Sequence, residues 1–288
     1  MSIDIGKVTV LGTGVLGSQI AFQCAYRGFD VAAYDISDAI LAKAHSRYEH
    51  LAETYKREVT GADDDTVAAA QGRLRLSSDL ADAVAEADLV IEAIPEVLDI
   101  KRDTYTKLSN VAPDKTIFAT NSSTLLPSDL KDFTGRPTRF LALHFANELW
   151  KNNIAEVMAT ADTDPAVFDA IVDFASAIGM VPIAIHKEKA GYVLNSLLVP
   201  LLKAAGELTA DGYANTEDVD KVWRIATGAP LGPFQIYDAI GLTTPYNILS
   251  HGDELDRHIA AWLKDNFIDA GKLGVASGEG FYRYTSDK

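Results

Sequence analysis

Gly12-Thr13-Gly14-Val15-Leu16-Gly17 stands between an apolar run, Val8-Thr9-Val10-Leu11, and a helical pattern that begins Ser18-Gln19-Ile20-Ala21-Phe22. The three glycines of such a strand-to-helix turn have separate uses. Gly12 allows the tight turn, Gly14 lets the backbone come close to a pyrophosphate, and Gly17 lets the helix pack on the strand. The opening turn of the helix, with Val15 and Leu16, offers unpaired N–H groups and a partial positive charge to phosphate. A second apolar run, Val31-Ala32-Ala33-Tyr34, ends in Asp35, eighteen residues after Gly17. A carboxylate there suits both hydroxyls of an unphosphorylated adenosine ribose and repels a 2′-phosphate. The bland alternative is a surface aspartate closing a strand. The strand-turn-helix context on both sides favours a dinucleotide site, selective for NAD(H) over NADP(H), with Gly12, Gly14, Val15, Leu16, Gly17 and Asp35 around the cofactor.

Outward from this turn, short apolar runs alternate with helical patterns through roughly the first 185 residues. Strands are predicted at 7–11, 31–35, 88–93, 116–120, 139–144, 154–159 and 181–185. Such alternation implies an α/β fold, a Rossmann-type doubly wound, mainly parallel sheet with ligands at the strand C-termini. Residues 37–76 are too many for one crossover helix and read as a helical pair, Ala39–Val59 and Thr66–Gln71, with the acidic run Asp63-Asp64-Asp65 at the second helix start. After the charged stretch His186-Lys187-Glu188-Lys189 the strands stop, and helices are predicted at Gly191–Asp211, Thr216–Thr227, Thr243–Asp253 and Asp256–Ala270. The expected domains are therefore 1–187, for the nucleotide, and 188–288, smaller and all-helical.

Composition narrows the function classes. The 288-residue chain is 48% hydrophobic and 23% charged, as a globular protein is. A net charge of −15 disfavours nucleic acid and anionic lipid as partners. Cys24, the only cysteine, cannot close an internal disulfide. The longest apolar stretch, Gly191 to Gly206, is interrupted by Asn195, Pro200 and Lys203 and is too short to span a bilayer. No signal peptide is read, so a cytoplasmic setting is expected. No metal ligands are assigned.

Three polar clusters could carry chemistry. Asn121-Ser122-Ser123 follows a predicted strand, where a substrate would meet the cofactor; a loop or cap role is the better reading of it alone. His144 ends one strand, and Glu156 lies within a short apolar strand twelve residues on. An unpaired carboxylate there would be costly, and a histidine beside it would relieve the cost, as a base held by an orienting acid. A histidine satisfied by backbone fits the spacing equally well. Asn195 interrupts an apolar helix start and needs hydrogen-bond partners, with or without a catalytic role.

The chain is similar, over almost its whole length, to the NAD-dependent 3-hydroxyacyl-CoA dehydrogenase family. The matching stretches are 12–17, Asn121-Ser122-Ser123, His144-Phe145 with Asn147, Glu156-Val157, Gly191-Tyr192-Val193 with Asn195, the run Gly228 to Phe234, and Gly278-Glu279-Gly280-Phe281-Tyr282. Segments 116–127, 141–147 and 189–202 resemble most the bacterial diketoreductase branch, which acts on β-keto and 3,5-diketo esters. The resemblance implies that His144 exchanges the 3-hydroxyl proton and that Glu156 orients it. It implies that Ser122 and Asn195 donate hydrogen bonds to the substrate 3-oxygen. It further implies that Glu96, Lys101 and Asn121 lie at the nicotinamide side, and that the helical domain forms a homodimer. Relatives acting on a sugar acid or carnitine, and a non-catalytic NAD(H)-binding role, are the alternatives. One departure bears on substrate: the family usually reads His-Phe-Phe-Asn-Pro where this chain has His144-Phe145-Ala146-Asn147-Glu148. This should enlarge the pocket and add a carboxylate beside it. The 37–76 pair, where relatives approach CoA, carries Lys43, Arg47, Lys56 and Arg57 but also the acidic run.

Overall fold

The computed structural model describes residues 3–284. They divide into two compact units between Val193 and Leu194. The first unit holds one eight-stranded sheet of β1 (Lys7–Leu11), β2 (Asp30–Tyr34), β3 (Leu74–Ser77), β4 (Leu89–Glu92), β5 (Ile117–Thr120), β6 (Phe140–Phe145), β7 (Ile154–Ala159) and β8 (Val181–Ile185). Their spatial order is β3-β2-β1-β4-β5-β6-β7-β8. All neighbours are parallel except β6 and β7, which are antiparallel because the connection from Phe145 to Ile154 is too short for a crossover helix. The sheet is thus doubly wound and mainly parallel, as expected. β1 and β4 are adjacent, so the chain reverses its direction of winding there, and the glycine turn leaves β1 at that point.

The helices of this unit are α1 (Val15–Tyr26), α2 (Asp38–Glu58), α3 (Asp64–Gly72), α4 (Leu80–Val84), α5 (Leu98–Val111) and α6 (Pro165–Ala177). Alternate strand residues feed two cores. Leu89 and Ile91 join Ile20, Tyr55 and Phe174 on one face, while Val90 joins Tyr105, Leu108 and Phe118 on the other. Burial on both faces explains why β4, β5 and β6 read as unbroken apolar runs.

The 37–76 segment is a helical pair only to Gly72. Its last residues begin β3, an edge strand of four residues, Leu74-Arg75-Leu76-Ser77, too short for its apolar–polar alternation to stand out from the helical pattern before it. The acidic run starts α3, where the Asp63 carboxylate accepts from Thr66 N at 2.9 Å in a capping box. The unit boundary lies beyond the charged stretch at 186–189, because residues past it remain tied to the first unit. Lys189 N donates to Met158 Sδ, Gly191 N to Ser123 O, and Val193 N to Glu156 Oε1.

The second unit is helical: α7 (Leu194–Ala210), α8 (Thr216–Thr227), α9 (Pro233–Ile240), α10 (Thr243–Leu249) and α11 (Glu254–Asn266). Leu202, Phe234, Tyr237, Ile259 and Leu263 form its core. Sequence reading missed α9, a short helix between two glycine-rich turns. Two buried aspartates explain the glycine motifs at 228–234 and 278–282. Asp220 accepts from Phe234 N (2.8 Å), Gln235 N (3.1 Å) and the Tyr282 hydroxyl (2.9 Å). Asp238 accepts from Phe281 N and Tyr282 N, both at 2.9 Å, and from the Tyr284 hydroxyl at 2.8 Å. A Cβ at Gly232 would lie 2.2 Å from Asp220 Cγ, and one at Gly280 would lie 2.0 Å from Asp238 Oδ1.

Gly280→Ala should therefore destabilise the protein by ~1–3 kcal/mol, the usual cost of forcing atoms into a packed site. Urea unfolding checks this; an unchanged midpoint would mean that Asp238 does not clasp the C-terminal segment.

Candidate active site

The glycine turn is built as its spacing requires, with one informative contrast. Gly12 has φ +94°, and a Cβ there would sit 2.6 Å from the Ala93 carbonyl oxygen after β4. A Cβ on Gly17 would sit 2.0 Å from the Gly12 carbonyl oxygen. Gly14 has nothing within 4 Å, so no packing of this chain demands a glycine there. What its bareness preserves is the open approach to the α1 N-terminus, which no side chain caps. Asp35 braces the turn: its Oδ2 accepts from Thr13 N (2.8 Å) and the Thr13 hydroxyl (2.7 Å), and its Oδ1 from Ile36 N (2.9 Å). The Thr13 carbonyl accepts from Ser18 Oγ and Arg47 Nη1, both at 2.9 Å. An open, uncapped helix N-terminus beside a carboxylate fits the pyrophosphate and ribose of NAD(H).

The antiparallel pairing of β6 and β7 sets His144 directly opposite Glu156. Both are buried, and His144 Nδ1 lies 2.9 Å from Glu156 Oε2. Glu156 Oε1 accepts from Val193 N at 2.8 Å. A carboxylate can only accept, so Nδ1 carries the hydrogen and the neutral ring keeps Nε2 as an acceptor. Nε2 lies 3.2 Å from Ser123 Oγ. Tyr192 stacks on the imidazole, with centroids 4.4 Å apart and planes at 14°, and its hydroxyl donates to Ser122 O at 2.8 Å. Tyr192 adopts φ +53°, a left-handed conformation that bulky residues avoid unless their surroundings impose it.

Behind the serines lies a cluster of charge. Glu92, at the end of β4, is fully buried and accepts from Lys101 Nζ (2.5 Å), Ile94 N (3.0 Å), the Thr120 hydroxyl (2.8 Å) and the Tyr105 hydroxyl (3.3 Å). Lys101 is 1% exposed and also lies 3.3 Å from Glu96 Oε2. Glu96 Oε1 accepts from Ser122 Oγ (2.6 Å), Ser123 N (2.9 Å), Thr124 N (2.8 Å) and Thr124 Oγ1 (2.9 Å). Burial alone would raise the Glu96 carboxyl, but the Ser122 hydroxyl, the Thr124 amide and the Lys101 ammonium outweigh it and hold it at about 2.

The first unit thus brings Ser122, Ser123, His144, Glu156, Glu96 and Lys101 to the C-terminal ends of β4, β5 and β6. The hydroxyl beside the imidazole is that of Ser123, whereas the resemblance pointed to Ser122. The Ser122 hydroxyl is turned to Glu96 and 1% of the residue is exposed. The side-chain oxygen of Asn121 accepts from Phe145 N at 2.9 Å and ties the end of β5 to β6. Asn195 stands in the first turn of α7. Sequence reading also passed over Tyr192 and Glu92. Both lay in view, Tyr192 inside a quoted motif and Glu92 as a charge ending an apolar strand. The departure at Glu148 is a change of backbone as well as of charge. Its φ is +59°, which proline cannot adopt, and its N–H donates to Gln19 of α1 at 2.7 Å. Lys151 Nζ lies 3.7 Å from its carboxylate. The same turn is fastened to the end of α2, where Lys151 and the Trp150 indole N–H hold the Glu58 carboxyl down at about 2.

Residues 7–189 match the model of the 3-hydroxyacyl-CoA dehydrogenase NAD binding domain, and residues 191–284 match that of the C-terminal domain. The mitochondrial hydroxyacyl-coenzyme A dehydrogenase of Rattus norvegicus is 36% identical over 290 residues, covering 98% of this chain and 92% of the relative. Among solved structures, a diketoreductase with substrate-directed dual catalysis of dicarbonyl compounds is 65% identical, with a TM-score of 0.95 over 97% of this chain and 99% of the other. The (S)-3-hydroxybutyryl-CoA dehydrogenase PaaH1 from Ralstonia eutropha is 29% identical, with a TM-score of 0.83 over 98% of this chain and 100% of the other.

The two inner glycines should separate by experiment. Gly14→Ala should leave the melting temperature near that of the parent and weaken NADH binding. Gly17→Ala should lower both, because its methyl meets backbone. Calorimetric titration with NADH and thermal melts check this; an undiminished NADH affinity in Gly14→Ala would remove the turn from the cofactor site.

Proposed function

The chain belongs to the 3-hydroxyacyl-CoA dehydrogenase family, whose first domain binds NAD, and on that premise we propose that it interconverts the 3-hydroxy and 3-keto groups of a β-keto or 3,5-diketo ester. The observation that carries this reading is the buried His144–Glu156 pair, with Nε2 turned toward a serine at the strand ends. Bound NAD(H) supplies the hydride donor or acceptor. The protein's own task is to move the proton and to steady the charge that builds on the substrate oxygen. His144 Nε2 takes the hydroxyl proton during oxidation, and the imidazolium returns it during reduction. Glu156 fixes the ring and stabilises its charged form. With substrate between them, the Ser123 hydroxyl gives up Nε2 and donates to the oxygen on which negative charge grows, and Asn195 is assigned a second donor role by family resemblance. Asp35 selects the unphosphorylated ribose. Glu96 Oε2, on a carboxylate that is 35% exposed, is the acceptor in the buried cluster best able to meet a nicotinamide ribose hydroxyl. In this proposal residues before Leu194 hold the cofactor and the proton-transfer pair, and the helical unit supplies self-association.

Two observations support a small ester over a CoA thioester. Three of the four basic residues in the helical pair are committed within the chain. Arg47 binds the Thr13 carbonyl, Lys56 lies 2.8 Å from Glu53 and 2.9 Å from Asp64, and Arg57 lies 2.8 Å from Glu58. Ala146 also replaces a bulky ring two residues past His144. Both are consistent with the 65% identity to a diketoreductase.

NADH oxidation should be rapid with a β-keto ester and slower with acetoacetyl-CoA at equal concentration. His144→Ala should cut turnover by roughly 10²–10⁴-fold with NADH affinity kept, the loss typical of removing an acid–base group. Turnover of neither substrate by the parent protein would sink the assignment.

A homodimer through the helical unit is proposed as well. α8 buries only Asp220 and leaves Val222 67% and Ile225 75% exposed one turn apart on one face. A second copy of the same helix would cover this face. Sedimentation at micromolar concentration should show a dimer, and Ile225→Asp should shift it toward monomer; a monomeric parent protein would contradict the proposal.

A further inference from the structure

The loop that carries Ser122 to Leu125 converges its polar hydrogens on one atom. Glu96 Oε1 receives two backbone N–H groups and two hydroxyls within 3.0 Å, and Leu125 N approaches to 3.4 Å. Successive amides curled round a point make a concavity for an anion, and here the chain fills it with its own carboxylate. Four short hydrogen bonds to an ionised acceptor are each stronger than neutral ones. Glu96 is itself held from behind. Lys101 Nζ reaches its Oε2, and Glu92, the partner of that lysine, holds the Thr120 hydroxyl, which accepts from Ser122 N at 3.2 Å. The backbone N–H groups of Ser122, Ser123, Thr124 and Leu125 are thus all held, each within two residues of Ser123. Ser123 Oγ stands at His144 Nε2, and its carbonyl accepts from Gly191 N.

We propose that Glu96 is a positioning residue for proton transfer: its carboxylate gathers the 122–125 loop so that the Ser123 hydroxyl points at His144 Nε2. Family resemblance gives Glu96 a place near the cofactor ribose. The role inferred here is separate and uses the other oxygen. Oε1 is saturated by the loop, while Oε2 faces Lys101. The catalytic meaning of that placement rests on the assignment of His144 as the acid–base group; the placement itself does not. One consequence is that toward His144 Glu96 acts only through Ser123, so at saturating NADH removing the serine removes the benefit of the glutamate to proton transfer.

The test is a double-mutant cycle read in two ways. The chain has six histidines, so labelled imidazole nitrogens can be followed by NMR without cofactor or substrate, with His144→Ala identifying the His144 signals. Ser123→Ala and Glu96→Ala should move the His144 Nε2 resonance in the same sense, and the double variant should match Ser123→Ala. In turnover of a β-keto ester, Glu96→Ala should lower kcat roughly 10- to 100-fold, toward the range seen when one donor to a developing oxyanion is removed. The double variant should again be no slower than Ser123→Ala. Glu96→Gln, which keeps the size and one acceptor oxygen, should fall between parent and Glu96→Ala, and it serves the same cycle if Glu96→Ala does not fold. Losses that multiply in the double variant would overturn the proposal. So would a His144 resonance unmoved in the Glu96 variants, with a raised NADH Kd as the only effect. If the spectra follow the cycle while no substrate turns over, the functional assignment fails and the positioning stands.

Discussion

A histidine and a glutamate, both withdrawn from water, face each other across one antiparallel strand pair. Neither is comfortable alone there: an unpaired buried carboxylate is costly, and an unheld imidazole can flip or change tautomer. Together they define one geometry. Because side chains alternate along a strand, a slip of one residue in the β6–β7 register would send His144 and Glu156 to different faces. The sheet therefore specifies the pair, and the pair turns Nε2 toward the strand ends. The single antiparallel neighbour in an otherwise parallel sheet is what makes such direct opposition available between residues twelve apart in sequence.

The rest of the site is arranged at the same edge by groups that satisfy one another. The glycine turn is shaped by clashes that forbid side chains at Gly12 and Gly17, and its open side is at Gly14. Asp35 and Arg47 hold the Thr13 peptide from two directions. The serine loop is held by Glu96, Glu96 by Lys101, and Lys101 by Glu92. Each charge in that chain is buried or partly buried, and each has an opposite charge within 3.3 Å. Removing one member leaves the others unpaired in a low-dielectric setting, where the effect is largest. The same logic recurs in the second unit, where Asp220 and Asp238 each collect backbone N–H groups and tyrosine hydroxyls.

Much of this was legible in the sequence, for identifiable reasons. The buried parallel strands show as continuous apolar runs, and the glycine spacing has few other uses after a strand. Thr216–Thr227 was read with its observed limits because Asn215 caps it and Gly228, at φ +74°, ends it. β3 was missed because its four residues offer only two apolar positions, Leu74 and Leu76, and α9 because it is short. The His144–Glu156 contact was one of two equal readings until resemblance favoured it, since spacing does not reveal register. Which of two adjacent serines meets the histidine is a matter of side-chain direction at a loop, and no periodic pattern encodes that. The role of Glu96 toward the loop was hidden for a similar reason: its partners lie twenty-six and more residues away.

The most direct test is a crystal structure with NADH and an unreactive β-keto ester analogue. The account predicts the 3-keto oxygen about 2.6–3.2 Å from His144 Nε2, within reach for proton transfer, and its carbon about 3–3.5 Å from the nicotinamide C4. An analogue whose keto oxygen is turned away from His144, with the imidazole still clasped by Glu156 and Tyr192, would contradict it.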